Sequence, residues 1–269
     1  MSKIIALDAG HGMNTSGKRC MKALDPDQTR EWFLNDRIMD MVEADLVTDY
    51  DCKVLRVGDT TGKKDISLKN RVKAANAAGA DVYVSMHHNA GLNGRSGGGT
   101  VVFYYSSNSK RREQAQKLYN FITDETRLYG NRCEQVVKRG FYVIKNTKMP
   151  AFLVENGFMD SPADVPIILS EAHARKTADG VAAFLVQEFK LEKKKGSVAS
   201  QNTVTGTYYP AYTGAKATLS VALASLGINN TYAFRKQIAA KNNIAGYRGT
   251  AAQNTQMYNL LVSGMLKKA

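Results

Sequence analysis

Cysteine is scarce in this 269-residue chain. Cys20, Cys52 and Cys133 are an odd set with no Cys-x-x-Cys pair, which argues against a disulfide framework and against a cysteine-built zinc knot and fits a reducing compartment. No apolar stretch is long enough to span a bilayer, so membrane insertion is not expected. The opening residues, Met1-Ser2-Lys3-Ile4-Ile5-Ala6-Leu7-Asp8, lack both the long apolar core and the small-residue cleavage site of a secretory signal. Synthesis in the cytoplasm is the expectation, and a substrate outside the cell must then be reached without an N-terminal signal. Acidic residues are almost missing from the last part of the chain. From residue 190 onward eleven Lys and Arg stand against Glu192 alone, so this segment carries +10 of the formal net charge of +13. Such a segment seeks a polyanion, either nucleic acid or an anionic glycopolymer.

What is present fits one substantial core with a small extra module: 43% of the residues are hydrophobic. Short apolar runs alternate with amphipathic stretches. Strands are expected at residues 3–7, 53–57, 81–90, 100–105, 141–145 and 151–155. Helices are expected at 30–48 with Thr29 as N-cap, at 67–78, at 109–129 and at 171–189. The alternation predicts an α/β fold: a mostly parallel, twisted six-stranded sheet flanked by helices. Gly94 to Gly99 has no G-x-x-x-x-G-K-[ST] pattern and reads as a flexible connection or rim.

Two of the strands end in histidine. His11 follows the first, and Gly10 and Gly12 are expected to free the backbone on both sides of it. His87 and His88 close the 81–90 run. Strand ends at the carboxyl edge of such a sheet are where sites form, and neutral imidazole is the commonest metal ligand near neutrality. Zinc is the default for nitrogen and oxygen donors, and a catalytic zinc needs three protein ligands and one open position. The third ligand should be a carboxylate or another histidine. Glu31, in the first turn of a helix, suits either the positive helix end or a metal. Glu155 ends the apolar run Phe152-Leu153-Val154, where a carboxylate is costly without a partner or a task. His173, in the first turn of the 171–189 helix, reads as a surface residue.

These residues fall in four phrases: Leu7-Asp8-Ala9-Gly10-His11-Gly12, Glu31 with Asn35, Val84-Ser85-Met86-His87-His88-Asn89-Ala90, and Leu153-Val154-Glu155-Asn156-Gly157-Phe158 followed by Asp160-Ser161-Pro162-Ala163-Asp164. In this order they resemble the zinc-dependent N-acetylmuramoyl-L-alanine amidases of the amidase 3 type, found in bacterial autolysins and phage endolysins. The resemblance runs through residues 3–189. It implies that His11, Glu31 and His87 bind Zn2+, that Glu155 is the catalytic carboxylate, and that the substrate is peptidoglycan, cut between N-acetylmuramic acid and L-alanine. The family usually has a small residue at the position of His88. Alternation puts His87 and His88 on opposite faces of a strand, and the resemblance favours His87, whose distance to Asn89-Ala90 matches the family pattern.

The reading therefore divides the chain into a catalytic domain (1–190), a polar linker (191–206) and a small, mainly helical module (207–269). Helices are expected in the module at 219–226, 232–241 and 251–261. It resembles C-terminal modules of cell-wall hydrolases, which implies an anionic cell-wall polymer as partner, with tyrosines such as Tyr208, Tyr209 and Tyr212 either stacking on sugars or forming the module's core. An endolysin released through a membrane lesion fits the missing signal. A catalytically silent wall-binding protein is one competing reading. A nucleic-acid binder is another, but it leaves the strand-end histidines and carboxylates without a purpose, so nucleic acid is not expected as a partner.

Overall fold

Three strands carry almost no exposed residue. β1 (Lys3–Ala9) is buried from Ile5 to Ala9, β3 (Val82–Asn89) is buried except at His87 and Asn89, and β6 (Ala151–Phe158) is buried except at Glu155. Near-continuous apolar runs of this kind belong to strands covered on both faces. The computed structural model describes residues 2–130, 135–194, 207–215, 217–230, 232–247, 249 and 251–269. Cys133 and residues 195–206, most of the expected linker, lie outside the described residues.

In chain order the elements are β1, α1 (Glu31–Asp49), β2 (Cys52–Arg56), α2 (Leu68–Ala77), β3, β4 (Thr100–Tyr104), α3 (Ser109–Thr126), β5 (Val136–Lys138), α4 (Tyr142–Lys145), β6, α5 (Val165–Ile168), α6 (Glu171–Phe189), α7 (Leu219–Ser225), α8 (Tyr232–Lys241) and α9 (Ala251–Val262). The strands form one six-stranded sheet in the order β2-β1-β3-β6-β4-β5. All neighbours are parallel except β4 and β6, which run antiparallel. The expected mostly parallel α/β sheet is therefore the one formed.

Side chains alternate between two cores. Leu7, Val84, Met86, Phe152 and Val154 face α1, α3 and α6, meeting Met39, Val42, Leu118, Ile122, Val181 and Phe184. Ala6, Tyr83 and Leu153 face the other way, against Val72 and Ala75 of α2 and Val143 and Ile144 of α4. On the first face α3 and α6 cross closely at Gly180, where a Cβ would lie 2.5 Å from the Phe121 carbonyl oxygen.

Two local expectations are corrected. Within 141–145, Tyr142–Lys145 form the short helix α4 after Phe141 as N-cap, and the fifth strand is Val136–Lys138 instead. A four-residue apolar run cannot distinguish the two periods. Phe141 and Tyr142 are 41% and 43% exposed, so only Val143 and Ile144 turn inward. Helix α1 begins one residue later than expected, with Arg30 and not Thr29 at its N-cap; the Thr29 N–H is instead bonded to the Asp25 carboxylate at 2.6 Å.

After α6 the chain stays on the sheet edge. Leu191 is buried, Asp51 N–H donates to Glu192 O at 2.8 Å and Lys194 N–H to Asp49 O at 2.9 Å. Helices α7, α8 and α9 enclose their own core of Leu219, Leu223, Ile238, Tyr247, Met257 and Leu261. Tyr209 N–H donates to Leu266 O at 2.8 Å and closes that unit. Helix α7 packs against α1. Tyr209 is buried in the module's core, while Tyr208 is 40% exposed. Among the described residues no helix is long and apolar enough to cross a membrane.

Candidate metal centre and catalytic site

The carboxyl ends of β1, β3 and β6 lie side by side with the N-terminus of α1. Ala9 pairs with Met86 across β1 and β3, and Gly10 N–H continues the ladder to Met86 O at 3.0 Å. This sets His11 beside His87. Glu155 lies opposite His87 in the β3–β6 register. Glu31, the first residue of α1, donates its N–H to Lys18 O at 3.1 Å, so the loop after β1 aims the helix start at the strand ends.

One Glu31 oxygen, Oε1, lies 3.3 Å from His11 Nε2 and 3.0 Å from His87 Nδ1. The three donor atoms are all within 4.8 Å of one another, and the two imidazoles meet edge to face at 4.9 Å. Glu31 Oε2 is buried without a hydrogen-bond partner, with the Lys18 ammonium 3.7 Å away. Burial opposes ionisation of Glu31, yet the hydrogen bonds and charge of the two histidines outweigh it and hold the carboxyl well below its usual range. Burial likewise opposes charge on His87, but the Glu31 carboxylate raises it. A carboxylate that stays ionised beside two imidazoles, with one lone-pair oxygen left over, is a donor set that fits a divalent cation.

The motif glycines act differently from the expectation. Neither Gly10 nor Gly12 is left-handed; His11 itself takes φ +67°. Gly10 is required by space, because a Cβ there would fall 2.1 Å from the His87 ring. A cavity of about 360 Å³ opens beside the two histidines toward Asp65, Ser67 and Leu68.

Glu155 is partly exposed in the middle of β6, one residue step across the sheet from His87. Burial pushes its carboxyl up to about 7, against the lowering charge of His87. Its Oε2 is buried without a partner. A carboxyl poised near neutrality beside a candidate cation site can take and return a proton.

His88 points away into a buried polar chain. Its Nδ1 lies 2.8 Å from Asn35 Oδ1, and Asn35 Nδ2 donates to Gly10 O at 3.2 Å. Asn156 Nδ2 approaches His88 Nε2 at 3.5 Å and His173 Nε2 at 3.0 Å, and Thr177 Oγ1 at 3.2 Å. Burial lowers His88 to about 3 and His173 to about 4, so both are neutral, as acceptors from Asn156 require. His173 is thus a buried residue, 4% exposed, and not the surface residue its helix position suggests. The signal in the sequence was weak: residues 173, 177 and 181 lie on one helical face, but a histidine among Ala and Thr looks solvated. Exchanging His88 for Leu strands the Asn35 carbonyl, and each buried polar group left unpaired costs about 1–3 kcal/mol. Urea unfolding of His88→Leu should show a loss of this size with metal content unchanged. Full stability with lost metal would instead make His88 the ligand.

The phrase Asp160 to Asp164 pins the glycine-rich loop. Asp160 Oδ2 accepts from Gly91 and Asn93 N–H at 2.8 and 2.7 Å, and Asp164 Oδ2 from Gly99 and Phe158 N–H at 2.7 and 2.9 Å. The loop is therefore anchored at both ends to the segment after β6.

A family model for N-acetylmuramoyl-L-alanine amidases matches residues 5–187. The chain belongs to that family. The endolysin of Bacillus phage SPP1 is 31% identical over 201 residues, covering 74% of this chain and 70% of that protein. The germination-specific N-acetylmuramoyl-L-alanine amidase of Bacillus subtilis is 28% identical over 194 residues, 70% of this chain and 80% of that protein. Among solved structures, an N-acetylmuramoyl-L-alanine amidase from Clostridium difficile superposes with a TM-score of 0.62 at 28% identity, covering 70% of this chain and 97% of that one. The catalytic domain of CwlV from Bacillus (Paenibacillus) polymyxa does so with 0.62 at 27% identity, covering 71% and 99%. The family match ends at residue 187, within α6, so it covers the sheet, its helices and every residue of the His11–Glu31–His87–Glu155 cluster of this amidase.

Proposed function

We propose that this amidase hydrolyses the bond between the lactyl group of N-acetylmuramic acid and L-alanine of the stem peptide, with Zn2+ held by His11, Glu31 and His87 and with Glu155 as proton carrier. Family membership makes the chain a peptidoglycan hydrolase. The observation that supports the residue roles is the convergence of three donor atoms within 4.8 Å beside a carboxylate in register with one of them. Two imidazole nitrogens and a carboxylate oxygen form a ligand set that zinc accepts. Zinc in such a site lowers the pKa of water to about 7 and polarises a carbonyl.

The chain's own residues do the rest. Glu155 accepts a proton from the attacking water as the new C–O bond forms. It returns that proton to the alanine nitrogen as the C–N bond breaks, so no net proton is consumed at the residue. Asn35 and His88 hold the loop and α1 from behind. Purified peptidoglycan digested with the protein should release stem peptides with a free N-terminal L-alanine and leave the glycan strands uncut. Mass spectra showing new reducing sugar ends, or cuts inside the stem, would overturn the bond assignment.

Residues 207–269 contain seven Lys and Arg and no acidic residue, and we assign them to holding an anionic wall polymer. The relationship to a phage endolysin supports a protein that reaches the wall after release through a membrane lesion. Solved relatives are covered almost completely by about 70% of this chain, so a truncation at residue 194 should fold. Its sedimentation with purified walls at low salt should fall at least tenfold relative to the full chain, and the full chain's binding should weaken as salt rises. Equal binding by both proteins would remove the assignment.

A further inference from the structure

Arg71 is a fully buried guanidinium, 1% exposed, on the inner stripe of α2 where Val72 and Ala75 are also buried. Each of its nitrogens is used. Nε donates to Ile66 O at 2.7 Å. One terminal nitrogen is bonded to the Asp8 carboxylate and to Ala9 O at 2.8 Å. The other reaches His11 O at 2.9 Å and Asp65 Oδ1 at 3.0 Å. Asp8 is equally enclosed: its second oxygen accepts from Tyr83 Oη at 2.7 Å and Ser85 Oγ at 2.8 Å. Tyr83, Ser85 and His87 are alternate residues of β3 and share one face of it.

The cluster thus touches both ligand-bearing strand ends. His11 holds φ +67°, a left-handed conformation that is unfavourable for a residue with a Cβ and persists only where its surroundings fix it. Arg71 binds the carbonyls of Ala9 and His11, on either side of Gly10. We propose that Arg71 is a positioning residue for the metal: it fixes the turn that aims the His11 imidazole at Glu31 and His87, and through Asp8 it locks that turn to β3. Only arginine supplies five donors in a rigid planar fork. Lysine can keep the charge pair with Asp8 but cannot span Ile66, Ala9, His11 and Asp65 together. This inference rests on the reading that His11 is a metal ligand.

The test is Zn2+ affinity of the full chain, measured by competition with a chromophoric chelator, for wild type, Arg71→Lys and Asp65→Asn. Groups that hold a ligand in place typically change metal affinity about 10–100-fold, and Arg71→Lys should weaken binding by that factor. Asp65→Asn, which leaves the Asp8 pair intact, should weaken it at least threefold. In the Co2+-loaded protein the visible absorption of Arg71→Lys should shift from that of wild type, a change that lost stability alone does not produce. Affinity within twofold of wild type and an unchanged Co2+ spectrum in Arg71→Lys overturn the inference. If Arg71→Lys fails to fold, unchanged affinity in Asp65→Asn overturns it. A wild-type chain that binds no Zn2+, or His11→Ala binding as wild type does, overturns the metal assignment and this inference with it.

Discussion

Glu155→Gln is expected to lower kcat by about three orders of magnitude, within the 10²–10⁴ that general acid–base catalysis supplies, while Zn2+ stays bound at one equivalent. The substitution keeps the shape of the side chain on β6 and removes only its ability to exchange a proton. The same residue is expected to set the acid limb of the pH profile. Burial lifts the Glu155 carboxyl to about 7, and a divalent charge beside it lowers it. Below its pKa the carboxyl already holds a proton and cannot accept one. The rate should therefore fall as the pH drops, with the midpoint below 7 in the loaded enzyme. In Glu155→Gln that limb should vanish from the residual rate. Turnover above a tenth of wild type would refute the role, and so would an unshifted acid limb.

His87→Ala is expected to abolish both metal and activity. The imidazole is one of three donors around a single point, and its neighbour on the strand cannot replace it, because His88 is turned into the Asn35–Asn156 chain. Metal analysis after dialysis should give less than a tenth of an equivalent, and clearing of purified walls should not recover when zinc is added. Wild type stripped by a chelator should lose clearing and regain it with Zn2+. Retention of metal by His87→Ala would show that the cluster is not the binding site. Clearing that survives thorough chelation would remove metal from the reaction altogether.

The sheet and its rim were legible because both rest on strong, long-wavelength signals. The apolar runs before His11 and His87 read as doubly covered strands, and they are. The helix at 171–189 has the bounds expected of it. Short or context-bound features were not legible. Val136–Lys138 is a three-residue strand at the sheet edge, shorter than any period can register. Residues 142–145 became a helical turn because only two of their apolar side chains are buried. The roles of Asp160 and Asp164 depend on backbone N–H groups over sixty positions away, which no local pattern reports. Arg71 could have been flagged, since a charged residue on an apolar helical stripe must find partners, but the sequence does not name them.

The contact between Gly10 and the His87 ring bears on how such a site can be altered. The seat of the second imidazole is carved from the main chain that presents the first, because any side chain at position 10 would occupy the ring's place. The turn after β1 and the end of β3 are consequently one interlocking part. A designer who transplants the first loop into another sheet must bring the facing strand with it, and a lineage that changes one must change both.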